Sequence, residues 1–173
     1  MTGARSGARL ALAADGSANV ATGLPVLDHL VGELARAGRF RIALEVEPDR
    51  SGEAVTAAGT ALGAAVREQL AAGAGWALAP ASEALAAAAL ERADEPMLVT
   101  NVDFSNIRVG GVENDIASRF LDALAHAAGL NLHVRLLEGT DPQHVLASIF
   151  KSVGAALGQA CRPPHPPTQE ETS

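Results

Sequence analysis

Apolar and polar positions follow two rhythms that run through the chain twice. Arg9 to Ala13 reads as a short strand, Asp15-Gly16-Ser17 as a turn, and Ala18 to Thr22 as a second strand, so a hairpin is expected. Pro25 suits the first turn of a helix, and Leu27, Leu30, Val31 and Leu34 then recur at helical spacing. Gly38 is the expected C-terminal cap of that helix. Phe40, Ile42, Leu44 and Val46 alternate with Arg41, Ala43 and Glu45, the pattern of a half-buried strand. Val55 to Leu70 predicts a helix, ended by Gly73-Ala74-Gly75.

The rhythm then recurs. Glu83 to Leu90 and Met97 to Asp103 are expected as a hairpin around Asp94-Glu95-Pro96. Asp115 to Ala128 predicts a helix before Gly129, and Leu130, Leu132, Val134 and Leu136 alternate as a strand. Pro142 to Ala160 predicts a long helix with Leu146, Ile149, Phe150, Val153 and Leu157 on one side. Gly38 and Gly129 stand 91 residues apart, as do Gly63-Ala64-Ala65-Val66 and Gly154-Ala155-Ala156-Leu157. The expected fold class is therefore α+β, an internal duplication of two strand-strand-helix-strand-helix halves. Each half is expected as a sheet covered on one face by two helices. The first half is expected to span residues 1–82 and the second 83–161, with 162–173 expected as a flexible Pro-rich tail.

Composition narrows the class. With 48% hydrophobic residues the chain can bury a core, but aromatics are only 3%, so Ala and Leu must fill it and elements must approach closely. A net charge of −7 opposes non-specific attraction to nucleic acid or an anionic membrane, and neither partner is expected. Cys161 is the only cysteine, which rules out an intrachain disulfide and a cysteine-rich metal site. No transmembrane run is present, and Leu10 to Ala14 is too short for a signal-peptide core, so a cytoplasmic protein is expected.

Several runs carry a more specific signal. Asp15-Gly16-Ser17, Thr22-Gly23-Leu24-Pro25-Val26-Leu27-Asp28-His29-Leu30 and Leu34-Ala35-Arg36-Ala37-Gly38-Arg39-Phe40 follow one another in the first half. Phe120-Leu121-Asp122-Ala123-Leu124, Ala128-Gly129-Leu130-Asn131-Leu132-His133-Val134 and Gly139-Thr140-Asp141-Pro142-Gln143-His144-Val145 followed by Ile149-Phe150-Lys151 do so in the second. In order and spacing this series resembles the imidazoleglycerol-phosphate dehydratase family over roughly residues 9 to 160. The family is itself an internal duplication. The resemblance implies manganese-dependent dehydration of imidazoleglycerol phosphate in histidine biosynthesis. A metal on the imidazole nitrogens would hold the substrate ring as an electron sink while a C–H is ionised and hydroxide leaves. It also implies a homo-oligomer, a trimer or a multiple of trimers, with metal sites at the joints between subunits.

The resemblance implies histidine and carboxylate ligands, and here that set is broken. His29 and His133 match two of the family's single histidines. The family's two HH-x-x-E motifs are replaced by Gly52-Glu53-x-x-Thr56 and Gln143-His144-x-x-Ala147, which sit 91 residues apart. His29, His133 and His144 remain as candidate metal ligands, with Glu53 as a substitute carboxylate. The readings left open are manganese in a weakened site and no metal at all. Pro80-Ala81-Ser82-Glu83-Ala84-Leu85 keeps only the Glu of a family Asp-Glu pair, which makes Glu83 the catalytic candidate. The family's acidic-Thr pair near the N-terminus falls at Arg5-Ser6, and its phosphate-binding Arg falls at Glu95, a reversal of charge. Lys151 matches a family lysine and is the phosphate-binding candidate; it lies two helical turns after His144, on the same face. The expected function is a dehydratase-like protein with lost or much reduced activity. The alternative is a non-catalytic binding, assembly or regulatory paralogue.

Overall fold

A computed structural model describes residues 6–47, 52–107 and 115–164. Its elements run β1 (Gly7–Leu12), β2 (Ser17–Ala21), α1 (Pro25–Gly38), β3 (Phe40–Glu45), α2 (Glu53–Gln69), β4 (Ala74–Ala81), β5 (Ala84–Arg92), β6 (Met97–Thr100), α3 (Ile116–Ala128), β7 (Leu130–Glu138) and α4 (Pro142–Ala160). A short 3-10 turn at Phe104–Asn106 precedes α3. The expected α+β duplication is present: β1-β3-β2 form one sheet and β4-β5-β7-β6 the other.

Neither expected hairpin forms in its first half-by-half sense. β3 lies between β1 and β2, antiparallel to the first and parallel to the second. In the second half β7 lies in the same way between β5 and β6. The physical reason is burial. Phe40, Ile42 and Leu44 on β3, and Leu130, Leu132 and Val134 on β7, are all at most 2% exposed, so these strands occupy the middle of their sheets. The strand that does make a hairpin with β5 is β4, which the sequence reading missed. Its Ala, Gly and Pro residues have little β propensity. The turn between β4 and β5 contains residue 82, where the first half was expected to end, and both strands belong to the second sheet.

The repeat is real in topology, but its offset is not uniform. The left-handed cap after α1 is Arg39, at φ 54°, and the one after α3 is Gly129, at φ 71°. These equivalent residues are 90 apart in number, so Gly38 is the last helical residue and not the cap. Packing explains that glycine: a Cβ there would lie 2.5 Å from the Gly154 carbonyl oxygen. The 91-residue spacing holds between α2 and α4. There Ala54, Val55, Ala58, Leu62, Ala65 and Val66 have buried counterparts in Val145, Leu146, Ile149, Val153, Ala156 and Leu157.

The helices lie between the sheets, each half's second helix packed on the other half's first. A Cβ at Gly63 would lie 2.5 Å from the Leu124 carbonyl oxygen, joining α2 to α3. A Cβ at Gly154 would lie 2.2 Å from the Leu34 carbonyl oxygen, joining α4 to α1. These equivalent contacts let backbones approach within the reach of small side chains, as the shortage of aromatics requires. α4 is buried on nearly every side, and its buried Ser148 and Ser152 hydroxyls donate to the Val145 and Ile149 carbonyls at 2.8 Å. Burial of each large apolar side chain contributes about 1.5–3 kcal/mol. Phe120 of α3 and Phe150 of α4, both fully buried, stack within the second half with ring centroids 5.7 Å apart. Among the described residues no helix is long and apolar enough to cross a membrane.

Candidate functional site

The tight turn between β4 and β5 carries Glu83 to the start of α4. Ser82 turns the chain at φ 51°, and Glu83 follows before β5 begins. Asp141 is the N-cap of α4, its carboxylate accepting the Gln143 and His144 amides at 2.9 and 3.3 Å. Pro142 fills the next position, where the missing N–H costs nothing. This cap fixes the first turn of the helix and so the place of His144.

Glu83 and His144, sixty-one residues apart in the chain, meet here. His144 Nδ1 lies 2.5 Å from Glu83 Oε2. Glu83 Oε1 accepts the Asp141 amide at 2.9 Å and the Thr140 amide at 3.3 Å. Asp141 Oδ1 is 3.9 Å from His144 Nδ1. With Nδ1–H donated to Glu83, the lone pair of His144 is on Nε2, the tautomer suited to a metal or a proton. Lys151 extends from the same helix to the same hairpin, donating to the Pro80 carbonyl at 3.4 Å. Three sequence candidates, Glu83, His144 and Lys151, are therefore gathered around the β4–β5 turn.

The Asp141 amide holds the Glu83 carboxyl down at about 2, against an ordinary 4.5, with the His144 side chain and the Thr140 amide adding to it and desolvation opposing. A consequence for stability follows. Above pH 4.5 both folded and unfolded Glu83 are ionised, and its contribution to stability is present in full. As pH falls from 4.5 to about 2 the unfolded chain takes up the proton first, so that contribution is progressively lost. Glu83→Gln should flatten this part of the stability–pH curve. Denaturant melts at about pH 6 and about pH 3 check it: parent and variant should differ more at the higher pH, and parallel curves would contradict the assignment.

The other candidates stand elsewhere. His29 lies on an exposed side of α1, its Nε2 3.7 Å from Glu33. His133 points from β7 to the outer face of the second sheet with Asn131 and Arg135, as the alternation predicts, between Ala89 of β5 and Val99 of β6. Glu53 is not a loop residue but the first residue of α2, exposed beside a shallow groove that includes Thr56 and Thr60. Glu95 is exposed in the bend between β5 and β6. Arg5 lies outside the described residues. Within one chain, His29, His133 and His144 are on three separate elements. An open trough of about 540 Å³ on the outer face of the first sheet, lined by Arg9, Asn19, Ala43 and Glu45 among others, contains none of the candidates.

Sequence reading passed over Asp141, whose role at the site is to cap α4 and anchor both Glu83 and His144. Its signal was available as an Asp-Pro pair opening an apolar-periodic run. No local signal marked the pairing of Glu83 with His144, which depends on the β4–β5 hairpin.

Comparison with known proteins agrees with this architecture. The family profile described as imidazoleglycerol-phosphate dehydratase matches residues 22–157. The chain is 35% identical to the imidazoleglycerol-phosphate dehydratase of Pelobacter propionicus over 164 residues, covering 89% of this chain and 84% of that protein. It is 35% identical to the same-named protein of Desulfitobacterium hafniense over 162 residues, covering 89% and 83%. The crystal structure of imidazoleglycerol-phosphate dehydratase from Staphylococcus aureus shares the fold at a TM-score of 0.79 and 22% identity, over 90% of this chain and 92% of that one. The Pyrococcus furiosus structure does so at a TM-score of 0.81 and 20% identity, over 95% and 93%. With the profile spanning most of the sequence and relatives aligned along most of their own length, the chain belongs to the imidazoleglycerol-phosphate dehydratase family.

Proposed function

We propose that this family member, related to histidine biosynthesis, has lost dehydratase activity or retains very little of it. One observation carries the reading. Three residues on from His144, on the same face of α4, stands Ala147; three residues on from Glu53, at the equivalent place on α2, stands Thr56. Each is where the family's HH-x-x-E pattern puts a carboxylate, and neither side chain can bind a metal as one. Gln143 and Gly52 likewise replace imidazoles. The donor set does not fit a paired metal centre. It fits at most a weakened manganese site, with His144 offering Nε2 and with His29, His133 and Glu53 contributing from neighbouring copies in a homotrimer or a multiple of trimers. Lys151, beside the same turn, is the group that would hold an anion such as a phosphate. A cytoplasmic location belongs to the same reading.

A second reading, a non-catalytic binding, assembly or regulatory paralogue, is favoured by how Glu83 is used. Its two oxygens already serve two backbone amides and His144. A carboxylate held ionised in that way is a poor proton donor near neutral pH. The assay of imidazoleglycerol phosphate turnover with added manganese tests the first reading; turnover at an ordinary enzymatic rate would overturn both.

A further inference from the structure

β4 is the outermost strand of the second sheet, yet its free edge is covered at Trp76. Trp76 N–H donates to Gln159 Oε1 at 3.0 Å, and Gln159 Nε2 donates to the Trp76 carbonyl at 2.8 Å. Both backbone groups of Trp76 are thus turned away from β5, and a side-chain amide meets them in the pattern a neighbouring strand would use. Residues two apart in a strand present their backbone the same way, so Leu78 faces outward as well, flanked on its far side by Pro80 in the same register. Pro80 has no N–H to offer, and its carbonyl accepts from Lys151 at 3.4 Å. The approach that makes this possible is set by Gly75, where a Cβ would lie 2.1 Å from the Ala156 carbonyl oxygen. With no side chain there, α4 sits against β4 and brings Gln159 round to its edge.

We propose that Gln159 acts as a one-residue surrogate strand, capping the β4 edge at Trp76 so that a strand from another chain cannot pair along it. Unprotected edges invite such pairing, and the need is acute here. Trp76 and Leu78 are 69% and 56% exposed, so an incoming strand would also bury apolar surface. The amide of glutamine suits the task because it alone pairs one acceptor and one donor at strand-like spacing on a stem long enough to reach from a helix.

The test compares the parent chain with Gln159→Leu and Gln159→Met. Amide hydrogen exchange reads the Trp76 N–H, and sedimentation over a range of concentrations reads association. Gln159→Leu should raise Trp76 exchange by about 10-fold or more while leaving Ala77 and Ala79, which face β5, unchanged. It should also add concentration-dependent species larger than those of the parent. Gln159→Met, a side chain of similar length that offers the Trp76 backbone neither the amide donor nor the carbonyl acceptor, should release the Trp76 amide and add association in the same way, and it carries the test if the leucine variant does not fold. Unchanged Trp76 exchange in a folded variant, or faster exchange with no added association, would overturn the proposal.

Discussion

Purified protein supplied with manganese and imidazoleglycerol phosphate should turn over at least about three orders of magnitude more slowly than a relative with both HH-x-x-E motifs, because removing members of a catalytic unit typically costs that much or more. The chemistry demands ionisation of a weakly acidic C–H, which a metal-held imidazole ring would make possible. In the proposed reading, Ala147 and Thr56 stand where the family's HH-x-x-E pattern has carboxylates, and Gln143 and Gly52 where it has imidazoles. Glu83 cannot make up the loss, since its carboxyl is held near 2 and both its oxygens are engaged. On the same reading, Glu95 falls where the family pattern has a phosphate-binding arginine and would oppose that anion. Restoring Gln143→His with Ala147→Glu should recover little, because the equivalent site on α2 stays incomplete. A steady-state rate within about 10-fold of an intact relative would contradict the account.

Arg162→Ala should destabilise the fold by about 3 kcal/mol, because charged-donor hydrogen bonds contribute about 1.5–3 kcal/mol each and are not additive. Sequence places Arg162 at the head of an expected flexible tail, but the structure makes it a staple between the halves; residues 165–173 lie outside the described residues. Its Nη1 donates to the Gly38 and Gly158 carbonyls at 2.9 Å. Its Nη2 donates to the Arg39 carbonyl at 2.9 Å and the Ala13 carbonyl at 3.4 Å. The guanidinium also lies over the Phe40 ring, 5.8 Å from its centroid. It therefore gathers the Gly38 and Gly158 carbonyls at the C-terminal ends of α1 and α4, where the helix dipoles also favour a cation, and ties them to the Arg39 and Ala13 carbonyls beside β3 and β1. Thermal melts should show a fall of roughly 6–12 °C for a chain of this size. Arg162→Lys should restore less than half of it, since one ammonium cannot reproduce the planar fork. A change of under about 0.5 kcal/mol in the alanine variant would mean that the staple carries nothing.

Which parts of this were legible in the sequence depends on the range of the physics involved. α4 is found over the predicted span, Pro142–Ala160, because a proline start and a long 3.6-residue period are both local. α1 and β3 were legible for the same reason. Strand neighbours were not, since alternation tells which face a residue takes and says nothing about the strand beside it. That is why both expected hairpins were displaced by the buried central strands. β4 was hidden by its Ala-Gly-Pro composition, although Trp76 and Leu78 alternate across it. Gly38 looked like a cap because nothing local distinguishes a glycine needed for φ from one needed for a close helix contact. At the site, the identities of Glu83, His144 and Lys151 were legible through the family pattern, and their convergence was not. It rests on a turn at Ser82 and an N-cap at Asp141 that come together only in the folded chain.

The central claim, that the family fold persists here around an eroded metal centre, is tested most directly by the manganese content of the assembled protein. The protein would be loaded with excess manganese, dialysed against metal-free buffer and assayed for metal per chain, with an intact relative treated in parallel. The account predicts that the relative retains its metal while this chain retains less than about one ion per chain, lost further on brief exposure to a chelator. Two manganese ions per chain, held through dialysis as tightly as in the relative, would show that other donors complete the centre, and the claim would fall.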